Sequence, residues 1–475
     1  MKDEFGNCEV EATNGTEFAS NCNYDDESRR REATRNIVVN GPTLTKPSRR
    51  ELLKWAGLGL AVGPFAGQAL LGEPTASSGM AYEGTDEELL DEIQRAAFRY
   101  FWNETDPRTG QIKDRALLNG NDTRTMSSIA ATGFGLTSLC IGDTRGYART
   151  ADITGRVRAT LRFVYNELQS GHGFYYHFID MSTGQRWRKC ELSSVDTSLL
   201  LCGVLTARQY FQDGEINDLA TKIYNRVDWP WMLNKGYAFS MGWTPESGFI
   251  RSRWDHYGEM MMIYLLGIGS TTNPVSPETW KAFSRPRVTY DGITYIAGRD
   301  PLFTHQYSHA WFDFRNKEDA YTNYFENSIL ATKAHKQFCL SLKNKFGHCC
   351  DDLWGVTASD SPTGYTAWGG PPVLGHIDGS IVPCATGGSV PFLYEDCMQV
   401  LRTIRGKYSK KAWGLYGYVD AFNPTTGWYD NDVLGIDVGI TMVMIENHRS
   451  AFAWNTFMLN PEAQSAMLRA GFQYA

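Results

Sequence analysis

Carboxylates set among aromatic and glycine-rich text are where this sequence can do chemistry. CELSSVDT offers Glu191 and Asp196, and WTPESGFIRSRWDHYGE offers Glu246, Asp255 and Glu259. TASDSPTGYTAWGG adds Asp360, HIDGS adds Asp378, and YVDAFNPTTGWYDNDVLGID adds Asp420, Asp430, Asp432 and Asp437. Two carboxyl groups facing one cleft can cleave a glycosidic bond. One protonates the leaving oxygen, and the other activates water or attacks carbon. Each residue also has a plainer use. Ser193 and Asp196 are spaced as a capping box, so Asp196 is expected to close a helix N-terminus. Glu191 lies outside that helix and is otherwise a solvated loop residue. Asp255 and Glu259, four apart, would repel on one helical face. Arg251 or Arg253 can relieve this, or one carboxyl can stay protonated. Glu246 follows Pro245 at a turn and can merely cap.

Other chemistries lack their motifs. There is no GxxxxGK[ST], HExxH, GxSxG or CxxC pair. His305 and His309, with Asp313 nearby, could offer metal ligands, but hydrogen-bonding histidines at a polar cleft are the simpler reading. The group His335, Cys339, His348, Cys349 and Cys350 fits no regular zinc spacing. No metal and no cofactor is expected. Aromatic residues make up 13% of the chain and recur in apparent loops, as in GFYY, WTPESGF, TGYTAWGGPP and NPTTGWYDND. Flat rings on loops suit stacking on sugars. The expected substrate-contacting set is therefore Tyr175, Trp243, Trp311, Trp368 and Trp428, with Asp255, Arg253, His305, His309, Asp360 and Asp437.

Helices must position these groups. EELLDEIQRAAFRYFW follows Thr85, a cap, and opens with acidic residues. MSSIAATGFGLTSLCIG is small and apolar on most sides, as a buried helix would be. DITGRVRATLRFVYNEL, SSVDTSLLLCGVLTARQYF, INDLATKIYNRV, HYGEMMMIYLLGIGS, YTNYFENSILATKAHKQFCLSLKNKF, the segment 394–408 and GIDVGITMVMIENHRS continue the series. Strand-like runs are few, GFYYHFID and TYIAG, and are expected as hairpins in loops. About a dozen helices without a central sheet predict an all-α domain of stacked helix pairs. With no fixed repeat in the sequence, a closed toroid is favoured over a solenoid.

The N-terminus reads differently. Residues 1–47 are polar and Asn-rich and are expected to be a disordered extension. Residues 48–79 begin SRRELLKWAGLGLAVG, a twin-arginine export signal whose apolar part is too short and too broken by Pro64 to span a membrane stably. Residues 80–475 form the catalytic domain, in the periplasm or secreted. Cys8 and Cys22 precede the signal, and the other eight of the ten cysteines show no disulfide framework. A net charge of −7 without a basic stripe argues against nucleic acid as a partner. A monomer is expected.

The run 100–472 resembles the bacterial glucoamylase-like domain of glycoside hydrolase family 144. YFWNETDPRTGQIKDR, SIAATGFGLTSLCIG, GFYYHFIDMSTG, ELSSVDTSLLL, NRVDWPWML, MGWTPESGFI, PLFTHQYSHAWFDFR, ENSILATKAHKQFC, WGVTASDSPTGYTAWGGPP and GIDVGITMVMIEN carry the resemblance. It implies an (α/α)6 barrel and inverting hydrolysis of β-1,2-glucan, by internal attack or by release of sophorose. It also makes Glu259, Glu191 and Glu246 the catalytic candidates. Glu259 is expected as acid, Glu191 as base or orienting carboxylate, and Glu246 as the alternative to either. A polysaccharide lyase on a helical toroid and a non-catalytic glycan-binding protein are the rival readings.

Overall fold

The inner and outer helices of this protein are already distinguishable by composition. In the computed structural model, which describes residues 81–298, 301–369 and 377–475, four helices are buried almost all round. They are α2 (Ile129–Thr144), α4 (Ser194–Tyr210), α7 (Met261–Gly269) and α12 (Gly435–Ser450). Four others bury one stripe only: α1 (Asp86–Asn103), α3 (Thr150–Asn166), α5 (Gly214–Asn225) and α10 (Tyr394–Lys407). A helix apolar on every side needs neighbours on every side, whereas an amphipathic one can cover the outside of a layer. The packing follows this rule. α2 lies between α4 and α12, α4 also meets α7, and α1, α3 and α5 cover them from outside. α8 (Tyr324–Ser341), α14 (Pro461–Arg469) and the short α6 (Trp229–Leu233), α9 (Pro383–Gly387), α11 (Ser409–Ala412) and α13 (Phe452–Phe457) complete the helices. The result is a helix-rich architecture consistent with an (α/α) toroid.

Small residues set the closest inner contact. A β-carbon on Gly203 of α4 would fall on the carbonyl oxygen of Gly133 in α2, so this crossing tolerates only glycine. α1 begins as expected, with Thr85 and Glu88 forming a reciprocal capping box.

Strands are more numerous than the sequence predicts. GFYYHFID does not form a simple hairpin. Phe174–Tyr176 enters a five-stranded antiparallel sheet in the order Ser170–Gly171, Phe174–Tyr176, Leu192–Ser193, Gly242–Thr244, Gly248–Phe249, while Phe178–Asp180 pairs with Met126–Ser128. Three inner helices are entered directly from such strands: α2 from Met126–Ser128, α4 from Leu192–Ser193 and α12 from Asp432–Leu434. Short strands therefore lock these helix starts, and those of α4 and α12 carry acidic residues, Asp196 and Asp437.

The expected N-terminal extension and export signal, with Cys8 and Cys22, lie outside the described residues. Among the described residues all eight cysteines are free thiols, and no helix is long and apolar enough to cross a membrane.

Candidate active site

Glu191 precedes the strand that feeds α4, and the pairing of this strand with Phe174–Tyr176 sets its neighbour. The backbone N–H of His177 donates to the Glu191 carbonyl at 3.0 Å. The His177 ring stacks on Phe178, with centroids 3.9 Å apart. Its Nδ1 lies 3.0 Å from Glu191 Oε1 and its Nε2 3.6 Å from Asp196 Oδ2. Burial works against charge on this imidazole, but Asp196 and Glu191 outweigh it and push its pKa up to about 10. Burial also pushes the Glu191 carboxyl up, yet the charge and hydrogen bond of His177 hold it below the usual range. Asp196 goes the other way. Burial raises it, with the charges of Glu191 and Asp114 adding to that, more than His177 and Ser193 lower it. The capping expectation is met only in part. Ser193 caps α4 by accepting from the Asp196 N–H, but the Asp196 carboxylate accepts from the Ser193 hydroxyl at 2.5 Å and turns toward His177.

A second group gathers at the start of α12. Asp437 sits in its first turn, and its carboxyl and that of Asp420 share a hydrogen bond. The Asp420 carboxylate accepts from the backbone N–H of Asp360 at 2.7 Å. Asp360 is ion-paired with Arg115, which also holds Asp114 at 3.1 Å. One oxygen each of Asp360, Asp420 and Asp430 lies within 4.8 Å of the others. Five carboxylates thus surround one guanidinium. Burial, then like charge, keeps the protons on. Asp420 is raised well above the carboxylate range by burial and by Asp437, and Asp430 is pushed up to about 7 by burial and Asp360. Asp437 is pushed up to about 6 by burial, although its hydrogen bonds with Asp420 and Cys384 pull the other way.

The Asp114 charge acts on both groups, raising Asp196 and Asp437. Tyr307 is buried, and its phenol is raised by burial and by the Asp437 charge; Tyr365 is 39% exposed, but the Asp437 charge acts on its hydroxyl in the same direction. Glu259 also acts on Tyr307, so it faces the same region from just before the N-cap of α7. The arrangement can hold one carboxyl protonated and another ionised near neutral pH.

The other expected residues divide sharply. Glu246 is clamped by Arg186 at 2.6 and 2.9 Å, which lowers its pKa, and its side chain is 48% exposed. A carboxylate so held is a poor proton donor. Asp255 and Glu259 share no helical face, since α7 starts only at Met261; Asp255 instead meets His256 in an exposed turn. Tyr175, Trp311, His305 and His309 belong to the core and not to an open surface. The Trp311 indole donates to Thr137, and the Tyr175 hydroxyl accepts from Arg226. His305 and His309 stand in consecutive 3-10 turns, and burial pushes both down to about 3, so they are neutral. Trp368 is buried with its indole on Ser359, and Arg253 ties down the carbonyls of Leu233 and Ala238. Trp243 and Trp428 are partly exposed, as sugar-stacking rings must be. Asp360 and Asp437 fall in the acidic group.

His177, Asp114, Arg115 and Tyr365 were not among the expected site residues. His177 had a readable signal, a lone histidine within the aromatic run GFYYHFID. The other three meet the site only through pairing distant in sequence. Among the described residues, two groups could hold a divalent ion on donor type alone, His177–Glu191–Asp196 and Asp360–Asp420–Asp430. In the first, His177 points both nitrogens at carboxylates as an imidazolium and has no lone pair for a metal. In the second, retained protons already offset the repulsion.

Residues 251–461 match the family model described as "Putative glucoamylase", in agreement with the resemblance read from the sequence. Among curated proteins, an exo beta-1,2-glucooligosaccharide sophorohydrolase (non-reducing end) from Parabacteroides distasonis is 29% identical over 430 residues. That match covers 82% of this chain but 58% of the relative, so this chain spans little more than half of that protein's length. Among solved structures, a Bacteroides uniformis protein described as a putative glucoamylase superposes with a TM-score of 0.77 at 27% identity, covering 82% of this chain and 98% of that one. The endo-beta-1,2-glucanase of Chitinophaga pinensis, in complex with sophorotriose and glucose, gives 0.75 at 26%, covering 82% and 99%.

Proposed function

We propose that this chain is a glycoside hydrolase that cleaves β-1,2-glucan with inversion, on an (α/α)6 barrel exported through a twin-arginine signal. The observation that carries the reading is the divergence of two carboxyl environments across one site. Glu191 is held ionised, whereas Asp437 keeps its proton to about pH 6 and Asp420 keeps its own beyond that. Glycoside hydrolysis requires that division of labour. In this reading Asp437, backed by Asp420, protonates the leaving oxygen, and Glu191 serves the attacking water. Glu259, beside Tyr307, contacts sugar. The acid role moves from Glu259 to Asp437 because burial and like charge act on the latter. The similarity to proteins named for β-1,2-glucan hydrolysis supports the substrate. A lyase would need a basic cleft for uronates, and this site sets five carboxylates against Arg115.

Incubation of the purified chain with linear β-1,2-glucan should release oligosaccharides whose new reducing end appears first as the α-anomer by proton NMR. Glu191→Gln and Asp437→Asn should each lower kcat by roughly a hundred- to ten-thousand-fold. No cleavage of β-1,2-glucan would remove the substrate assignment, and the β-anomer first would indicate a covalent intermediate.

A further inference from the structure

The nine histidines include three that are fully built into the core, and they set a baseline. His305, His309 and His335 are all pushed down by burial and are neutral. His177 is less enclosed, its side chain 18% exposed, and unlike them it lies between two carboxylates. We propose that His177 is a positioning residue for hydrolysis: its imidazolium, clamped between Glu191 and Asp196, keeps Glu191 ionised and aims it at the site. The proposal rests on the reading of Glu191 as the carboxylate that serves water.

Three contacts fix the clamp. The His177 backbone N–H holds the Glu191 carbonyl, and the His177 carbonyl accepts from the first residue of α2, Ile129, at 3.3 Å. The ring is pinned flat on Phe178. The backbone bonds fix where the side chain starts, between the start of α2 and the strand that enters α4, and the stacking on Phe178 orients the ring. Its two nitrogens then meet one carboxylate from each side of the helix start, Glu191 before α4 and Asp196 in its first turn.

The charges around this ring leave little else to do the work. From the α4 side come Glu191, Asp196 and the hydroxyl of Ser193, and from the preceding loop Cys190 and Arg186. Arg186 also lowers Glu191, but less than His177 does, and both its terminal nitrogens are engaged by Glu246. Asp114 reaches Asp196 from the second acidic group. Without the imidazolium, Glu191 would be nearly enclosed, its side chain 12% exposed, beside a second carboxylate. Desolvation and like charge both favour a proton there. The clamp thus decides that Glu191 is the base and not a second acid.

The test is the pH dependence of kcat/KM on linear β-1,2-glucan in His177→Gln and His177→Lys. Glutamine keeps a donor for Glu191 without the charge, and lysine keeps the charge. The low-pH limb reports ionisation of the carboxylate that must be charged. It should move up by at least about one pH unit in His177→Gln and return toward the wild-type position in His177→Lys. A limb that stays in place in a folded His177→Gln enzyme, with only a uniform loss of rate, overturns the proposal. The wild-type chain supplies a second measurement that needs no variant. Its histidine NMR spectrum should contain one imidazole still protonated at pH 8.5, and a spectrum with none overturns the clamp. Wild-type turnover in Glu191→Gln would instead remove the underlying assignment of Glu191 while leaving the protonated histidine in the spectrum.

Discussion

Replacing Asp437 by asparagine should stabilise the folded protein at alkaline pH while abolishing its turnover. The carboxyl ionises near 3.8 in an open chain but only at about 6 in the fold, where it is buried beside Asp420 and Asp360. The folded state therefore binds the proton more tightly than the unfolded state. Its contribution to stability is full below about pH 4 and is lost as the pH rises toward 6. With roughly 1.4 kcal/mol for each pH interval between the two values, the loss is on the order of 2–3 kcal/mol. Asparagine carries no ionisable proton, so Asp437→Asn escapes the loss, and its amide can donate to Asp420. The wild type and the variant should be compared by urea denaturation at pH 4 and pH 8. The difference in unfolding free energy should shift in the variant's favour by that amount between the two conditions. Taking the difference cancels carboxylates such as Asp122 and Asp180, which are held low by their own partners. A difference that does not change with pH would refute the view that this carboxyl is forced to keep its proton.

Glu246→Gln should leave kcat within about twofold and cost less than ~1 kcal/mol, since it breaks only a half-exposed pair with Arg186. A hundredfold loss in the same steady-state assay would return Glu246 to the chemistry. Trp311→Ala should cost about 3–5 kcal/mol of stability by denaturation, because the ring is fully buried against Phe134 and Thr137. Trp243→Ala should instead raise KM with a smaller effect on stability, and the opposite pattern would exchange their roles.

Helices and their caps could be read because their causes are local. The Thr85–Glu88 box, the amphipathic α3 and the all-round apolar α2 each follow from residues within a few positions of one another. The start of α7 was misplaced for a related reason. His256–Met260 continues the apolar text of the helix, but the segment is committed to bonds elsewhere: Tyr257 N–H donates to the Ser284 carbonyl and Ser308 to the Glu259 carbonyl. Aromatic residues misled most. Tyr175, Trp311 and Trp243 look alike in sequence, and only strand pairing and helix crossing decide which is sealed and which faces outward. The acidic group was legible as a set of residue types but not as a constellation. Asp114 and Asp360 are far in sequence from each other and from Asp420 and Asp437, and their convergence depends on which inner helices are neighbours.

Placement at helix starts explains why this end of the molecule tolerates so many carboxylates. Glu191 and Asp196 stand at the start of α4, and Asp432 and Asp437 at the start of α12, where unpaired backbone N–H groups and the helix dipole favour negative charge. That attraction alone would lower the pKa of every carboxyl in the group. It does lower Glu191, where His177 adds a full positive charge. It fails at Asp437 and Asp420, because burial removes water while Asp360, Asp430 and Asp114 supply like charge. Arg115 is already shared between Asp114 and Asp360, and Arg124 is taken by Asp432 and Asp122. Asp196, in the first turn of α4, is raised by burial despite His177. Glu191 before α4 and Asp437 in α12 thus reach opposite protonation states through their neighbours, a cation beside Glu191 and carboxylates beside Asp437. Exchanging those neighbours, and not the carboxyl groups themselves, is the change that would exchange acid for base.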